Sequence, residues 1–120
     1  MTDDQSASES AVRRHIDAFN EGDLDALLAG FTDDAAWVTG TSTARGRAEL
    51  AELFEGAISQ LRPRLDLDEL IAERDRVACE LTETLPGDVP QTFAIAGFYR
   101  LRDGRIASAK IYREGSAKIA

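Results

Sequence analysis

The spacing of apolar residues predicts three helices in the first half of the chain. Ser6 and Glu9 form a capping box before the first helix, Gly22 ends that helix, and Asp23 caps the second. Pro63 ends the third helix. The apolar stripes of the three helices are Val12, His15, Ile16 and Phe19; then Leu24, Leu27, Leu28 and Phe31; then Leu50, Leu53, Phe54, Ala57, Ile58 and Leu61.

The second half of the chain consists of extended segments separated by turn residues. Four strands are predicted, at Arg64–Glu73, Arg76–Thr84, Gln91–Arg102 and Arg105–Arg113. Asp103 and Gly104 stand between the last two and predict a tight hairpin. Before the third helix, the pattern predicts a short strand at Ala35–Thr39 and a loop over residues 40–46.

Three helices followed by a meander of four strands predict an α+β domain. The helices are expected to cover one face of a strongly curved antiparallel sheet. A chain of 120 residues has room for one core of ordinary size, so residues 1–120 are expected to form a single domain. Residues 1–7 and 115–120 are expected to be loose ends.

Composition excludes several classes of function. The net charge is −8, and the excess of acid lies in the first 60 residues, so nucleic-acid binding is not expected. The longest apolar run, Phe93–Tyr99, is too short for a membrane helix. The polar, acidic start is unlike a secretory signal, and Cys79 is the only cysteine, which together favour a reducing cytoplasm. One histidine and one cysteine cannot form a Cys/His zinc cluster, and no metal site is expected.

Three stretches of the chain, taken in order, resemble a known superfamily. They are AVRRHIDAFNEGDLDALLAGFTDDAAW at residues 11–37, RGRAELAELF at 45–54 and FYRLRDGRIASAKIYRE at 98–114. Together they are similar to the nuclear transport factor 2-like superfamily, in particular its SnoaL-like branch. The resemblance implies a cone-shaped, cystatin-like domain with a deep apolar cavity, and a homodimer formed through the outer face of the sheet. Its members include ketosteroid isomerases, limonene-epoxide hydrolases, polyketide cyclases, dehydratases and non-catalytic binding modules, so the fold alone does not select a function.

The ketosteroid isomerases provide one comparison for the cavity residues. The resemblance places His15 where those enzymes have the tyrosine that donates to the substrate oxyanion. A histidine there can donate a hydrogen bond or transfer a proton, although a core or helix-edge histidine is the alternative. Thr39 and Gly97 stand where the isomerases carry two carboxylic acids. Ketosteroid isomerisation is therefore not expected.

The limonene-epoxide hydrolases provide a second comparison. Leu85, Pro86 and Gly97 match their loop and strand pattern, and this register places Glu80 at one catalytic aspartate. Ala78 and Ile111 replace the arginine and the second aspartate, so epoxide hydrolysis of that type is not expected.

The same register directs Ala78, Glu80 and Thr82 into the cavity. Binary patterning favours the opposite face of this strand, because Val77, Cys79 and Leu81 are its apolar set. If Glu80 does face an apolar cavity, its pKa would rise and it could act as a general acid or base.

The remaining cavity predictions come from strand alternation and the helix stripes. Gly97 either leaves space for a ligand or marks a bulge. Tyr99 and Arg113 are polar groups near the mouth or partners of the neighbouring strand, and Trp37 lines the cavity or packs in the core. The predicted ligand-binding residues are Phe19, Trp37, Thr39, Phe54, Ile58, Thr82, Phe93, Ile95, Gly97, Ala109, Ile111 and Arg113.

Two functions are compatible with these residues. The first is a cofactor-independent enzyme that moves a proton on an apolar, carbonyl-bearing substrate in an isomerisation, cyclisation or dehydration. His15 and Glu80 would be the acid/base pair and Tyr99 a hydrogen-bond donor. The second is a non-catalytic dimeric module whose cavity holds a small apolar ligand or is filled by side chains.

Overall fold

The computed structural model describes residues 3–114, which form three helices and a six-stranded sheet. The helices are α1 (Asp3–Glu21), α2 (Leu24–Ala29) and α3 (Gly46–Gly56), and α3 continues into a wider π-helical turn at Ala57–Leu61. The strands are β1 (Phe31–Thr39), β2 (Ser42–Arg45), β3 (Arg64–Glu73), β4 (Arg76–Leu85), β5 (Gln91–Arg102) and β6 (Arg105–Glu114). The predicted α+β class is confirmed. None of the helices within residues 3–114 is long and apolar enough to span a membrane.

The first helix begins earlier than the sequence pattern predicts. It starts at Asp3, so residues 3–7 are helical rather than loose, and Ser6 lies inside the helix instead of capping it. The Gln5 side chain donates to the carbonyl of Ala72 at 2.9 Å, and the Ser8 hydroxyl donates to that of Arg74 at 2.6 Å. These bonds attach the first turns of α1 to the end of β3 and to the β3–β4 turn. Residues 1–2 and 115–120, also predicted as loose ends, lie outside the described residues.

The second helix has the predicted cap but a different end. Asp23 accepts a hydrogen bond from the backbone N–H of Ala26 at 3.1 Å, as expected of an N-cap. The helix ends at Ala29, and Phe31 begins strand β1 instead of extending the helix stripe. Phe31 is fully buried, so its apolar side chain serves the core from a strand. The predicted short strand therefore begins four residues earlier than Ala35.

The predicted loop over residues 40–46 contains strand β2, which pairs antiparallel with β1. The predicted third helix is present, but its helical pitch changes after Gly56. Arg62 then adopts a left-handed conformation with φ of 46°, and the chain enters β3 just after Pro63. The stop that Pro63 predicts is therefore confirmed.

The strands lie in the order β2-β1-β6-β5-β4-β3. All neighbours are antiparallel except β1 and β6, which are parallel, so the sheet is mixed rather than wholly antiparallel. β2 occupies one edge of β1, and the final strand pairs with the other edge. Asp103 and Gly104 have φ of 54° and 78° and form the predicted tight hairpin turn.

The helices lie on one face of the sheet, with α1 over β3 and α3 over β1. On β4, the buried side chains are Val77, Cys79 and Leu81. Binary patterning was therefore right for this strand, and the register taken from the hydrolase resemblance was wrong. Burial of the apolar set stabilises the domain, and it leaves the alternate residues on the outer face.

Candidate functional site

An aromatic cluster fills the centre of the concave face, where the resemblance implied a deep cavity. His15 lies at its middle and is 4% exposed. Its ring centroid is 5.5 Å from those of Phe31 and Trp37, 5.9 Å from Tyr99 and 6.2 Å from Phe54. Trp37 itself packs edge-on against Phe54 at 5.0 Å. His15 is thus surrounded by side chains, which corresponds to the core-histidine alternative.

This environment fixes the protonation state of His15. Burial lowers the pKa of its imidazole from 6.5 to about 4, because the charged form loses its hydration. The imidazole is therefore neutral at pH 7. Its Nδ1 is enclosed and has no hydrogen-bond partner among the described residues. A neutral imidazole can donate or accept one hydrogen bond, but with this pKa it is a weak proton acceptor at neutral pH.

Tyr99 is buried directly over Gly97. A Cβ added at Gly97 would lie 2.7 Å from Cε1 of Tyr99 and 2.8 Å from its hydroxyl oxygen. The space beside Gly97 therefore holds the tyrosine ring and not a ligand, and β4 and β5 pair in register without a bulge at this point.

The Tyr99 hydroxyl lies beside the thiol of Cys79 in the interior of the protein. Burial is the main reason that the pKa of Tyr99 lies well above its usual value, and it raises the pKa of Cys79 to about 11. Tyr99 therefore remains a neutral phenol, and its role as a hydrogen-bond donor to substrate finds no support in this arrangement.

Glu80 and Thr82 do not line the concave face. Both alternate with the buried residues of β4 and lie on the outer face of the sheet, where Glu80 is exposed. The Thr82 hydroxyl donates to a carboxylate oxygen of Asp68 at 2.8 Å. The sheet separates Glu80 from His15, so the predicted acid/base pair is not assembled. The apolar residues of β4 occupy the inner face of the strand. Glu80 and Thr82 therefore lie on the outer face instead of in the cavity, where they were predicted.

A carboxylate that sequence reasoning missed, Glu83, does lie on the concave face. It continues the inward alternation of Leu81, pairs across the sheet with Phe93, and its side chain is 15% exposed. Arg113 donates to Glu83 Oε1 from Nε at 2.9 Å and lies 2.8 Å from it through Nη2. The guanidinium lies 4.0 Å from the centroid of the Phe93 ring. Following binary patterning along β4 would have identified Glu83.

The other predicted ligand-binding residues lie on the concave side, at two depths. Five are buried in the core: Phe19, Phe54, Ile95, Gly97 and Ala109. Five are partly exposed: Trp37, Thr39, Ile58, Phe93 and Ile111. The Glu83–Arg113 pair and three partly exposed residues near it form what we call the concave rim. The three are Thr39 at the end of β1, Phe93 near the start of β5 and Ile111 on β6. Within residues 3–114 no group of three or more His, Cys, Asp or Glu side chains could hold a metal ion.

Comparison with known proteins agrees with this architecture. A family model described as a SnoaL-like domain matches residues 12–109. No curated protein matches the chain.

Many solved structures share the fold. An LEH-like epoxide hydrolase from M. tuberculosis is 24% identical, with a TM-score of 0.83 and coverage of 92% of this chain and 84% of that one. An epoxide hydrolase/cyclase-like enzyme, SalBIII, which is connected with pyran ring formation in the polyether salinomycin, is 23% identical, with a TM-score of 0.83 and coverage of 97% and 99%. An NTF2-like protein of unknown function from Burkholderia pseudomallei is 20% identical, with a TM-score of 0.82 and coverage of 90% and 91%. At these identities the similarity establishes the fold.

Proposed function

We propose, since this chain belongs to the SnoaL-like domain family, that it binds a small, largely apolar, carbonyl-bearing molecule at the concave rim. The observation that carries the proposal is the Glu83–Arg113 pair, which places a carboxylate and a guanidinium beside an aromatic ring on the concave face. A few polar groups converging on an apolar surface are typical of small-molecule sites.

The rim supplies both kinds of contact that such a ligand needs. Phe93 and Ile111 are partly exposed apolar side chains, which gain about 25 cal/mol for each Å² of apolar surface that a ligand covers. Arg113 is 44% exposed. A guanidinium has five N–H donors, and two of its nitrogens approach Glu83. The remaining donors can bind the carbonyl oxygen of a ligand.

The arrangement favours binding without catalysis. Glu80 lies on the outer face, Tyr99 is buried beside Cys79, and His15 is neutral and enclosed. The three groups expected to move or stabilise a proton therefore do not converge on one substrate position. A ligand-binding module explains the geometry with fewer rearrangements than an enzyme does.

A second copy of the chain is the proposed partner of the outer sheet face. Three large apolar side chains on this face are exposed: Ile71 at 63%, Phe98 at 55% and Tyr112 at 52%. Ile71, Ala78 and Phe98 form one row across β3, β4 and β5. The same face carries Glu80 on β4 and Lys110 on β6. In a two-fold dimer, a contact between Glu80 of one copy and Lys110 of the other is made twice.

Sedimentation of the wild type and of a Phe98→Glu variant tests the dimer. The wild type should sediment as a dimer and Phe98→Glu as a monomer, because a buried carboxylate is costly in an apolar interface. Val89→Glu is the matched control, since Val89 is a highly exposed apolar residue in the β4–β5 loop. A monomeric wild type, or a dimer that both variants retain, would contradict this part of the proposal.

A second candidate function is proton transfer on an apolar carbonyl-bearing substrate, of the isomerase, cyclase or dehydratase type. The observation that favours it is the Nδ1 of His15, which has no partner among the described residues. A neutral imidazole can donate to a developing oxyanion. Such a substrate would have to enter the aromatic cluster and displace at least one ring.

The ligand proposal is tested by following Trp37 emission during titration with 1-tetralone, 2-decalone and progesterone. At least one ketone should give a saturable change, and Arg113→Gln should weaken its binding by about tenfold. Arg102→Gln is the matched control, because Arg102 is an exposed arginine paired with Asp34. A flat response to all three ketones, or equal weakening by both variants, would refute the rim site. Product analysis of the best ligand with wild type and His15→Gln then separates binding from turnover.

A further inference from the structure

A groove separate from the concave rim lies at the opposite end of the domain. It has a volume of about 430 Å³ and runs between α1, α2 and the β5–β6 turn. The β5 strand extends from Phe93 at the rim to Arg102 beside this turn, which separates the two places by roughly 30 Å. The groove is lined by Ala11, Arg14, His15, Ala18, Ala26, Ala29, Gly30, Asp103, Gly104 and Arg105.

Small side chains keep the floor of this groove open. Ala11 and Ala18 face it from α1, and Ala26 and Ala29 face it from α2. His15 lies between the two alanines of α1, and with Arg14 it is one of the two polar side chains that the helices contribute to the lining. It is more than nine-tenths buried, and its Nδ1 has no hydrogen-bond partner within residues 3–114. His15 therefore borders the groove through its ring, while its Nδ1 stays enclosed within the domain.

The lining of the groove carries a net positive charge. Arg14 and Arg105 line it, and Asp103 is the single acidic residue of the lining. Neither arginine forms an ion pair in the described part of the chain, whereas the neighbouring Arg13 is paired with Glu9. Two arginines without acidic partners at the mouth of an apolar groove suit a planar carboxylate, which arginine binds through two parallel hydrogen bonds.

We propose that this groove binds a small carboxylic acid with an apolar body. The carboxylate would lie between Arg14 and Arg105, and the hydrocarbon would cover the alanine floor toward His15. A volume of about 430 Å³ is within the range of small-molecule sites. This site differs from the concave rim in position, in its residues and in the charge of its ligand, so it does not depend on the ketone site.

The imidazole of His15 is a direct probe of the groove, because His15 is the only histidine in the chain. Two-dimensional ¹H–¹⁵N spectra of the imidazole and of the backbone would follow titration with hexanoate. Hexanoate should give saturable shifts of the His15 imidazole and of the amides of Ala11, Ala26 and Gly104. Hexanamide, which has the same chain without the charge, should bind about tenfold more weakly.

Arginine variants test the charge assignment. Arg14→Gln should weaken hexanoate binding by about tenfold, and so should Arg105→Gln. Arg13→Gln is the matched control, since that arginine is paired with Glu9 outside the groove, and it should leave the affinity unchanged. No saturable shift, equal affinity for hexanoate and hexanamide, or no effect of both Arg14→Gln and Arg105→Gln would overturn the proposal.

The location of the shifts distinguishes this site from the rim. Hexanoate shifts centred on Phe93 and Arg113 would assign the carboxylate to the concave rim and refute the groove. Shifts in the groove together with a flat ketone titration would refute the rim site and leave the groove established.

Discussion

Acidification should destabilise this protein through His15. The imidazole is buried among aromatic rings, and burial lowers its pKa from 6.5 to about 4. In the unfolded chain the same group binds a proton near its ordinary pKa. Between these two values the unfolded state therefore holds more protons than the folded state, and unfolding is favoured as the pH falls. The stabilisation is complete above about pH 6.5 and is lost progressively down to about pH 4.

The size of the effect follows from the two pKa values. A folded-state pKa of about 4 against 6.5 in the unfolded chain corresponds to about 3 kcal/mol once the pH is below both. At about pH 5 most of the unfolded chains are protonated at this residue while most folded ones are not. The loss between about pH 7.5 and about pH 5 is then about 2 kcal/mol. This is a large fraction of the stability of a small domain.

Urea unfolding followed by Trp37 emission measures this loss at both pH values. The wild type should lose about 2 kcal/mol more than a His15→Phe variant, which keeps an aromatic ring and removes the titrating group. His15 is the only histidine, so no other imidazole titrates in this pH range. Both proteins have the same carboxylates, and the contributions of these groups cancel in the comparison. If the wild type and His15→Phe lose the same stability, the burial argument is refuted. An imidazole that titrates near pH 6.5 by NMR would refute it as well.

Three further predictions concern packing and connections. Gly97→Ala should lower the free energy of unfolding by about 1–3 kcal/mol, because the added Cβ would meet the Tyr99 ring at 2.7 Å. The control Gly56→Ala should not lower it, since nothing lies within 4 Å of the added Cβ there. Equal urea midpoints for the two variants would contradict this prediction. Asn20→Ala should cost about 1–3 kcal/mol in the same assay, since its amide makes two 2.8 Å bonds to the backbone of β3; an unchanged midpoint would show that water replaces them. Cys79 should react with a thiol reagent about 100-fold more slowly in the folded protein than in urea. The reasons are that its thiol is buried and that burial raises its pKa to about 11. Rapid labelling of the folded protein would contradict this burial.

The sequence predicts the elements of this fold better than it predicts their neighbours. The three helices and the Asp103–Gly104 turn follow local patterns and are present in the structure. The predicted stripes are not complete, because Phe31 lies in β1 and Leu53 and Leu61 are exposed. The parallel pairing of β1 with β6 joins segments about 70 residues apart, and no local signal specifies it. Strand β2 lay within a stretch predicted as a loop because it has only four residues and they are mostly exposed. Its pairing with β1 determines its conformation more than its own propensity does.

The candidate site shows the same limit on the scale of side chains. The prediction that Glu80 faces the cavity relied on the register taken from the hydrolase resemblance. The alternation of Val77, Cys79 and Leu81 instead predicted that Glu80 lies on the other face of the sheet. The alternation was right because three buried apolar side chains outweigh the position of one carboxylate. Continuing it by one step identifies Glu83. The enclosure of His15 by four aromatic rings could not be predicted, since those rings come from two strands and a helix that are distant in sequence.

The surroundings of His15 differ on its two sides, and this difference governs which ligands can reach it. From the concave side, a ligand must displace Trp37 or Phe54, and exposing one aromatic side chain costs about 2–3 kcal/mol. From the helix side, the groove floor beside His15 consists of alanines, whose side chains need not move far. A ligand of the concave rim is therefore expected to stay above the aromatic cluster. A carboxylic acid in the helix-side groove has the shorter and less costly approach to the imidazole, so hexanoate should perturb His15 more strongly than any ketone that binds beside Arg113.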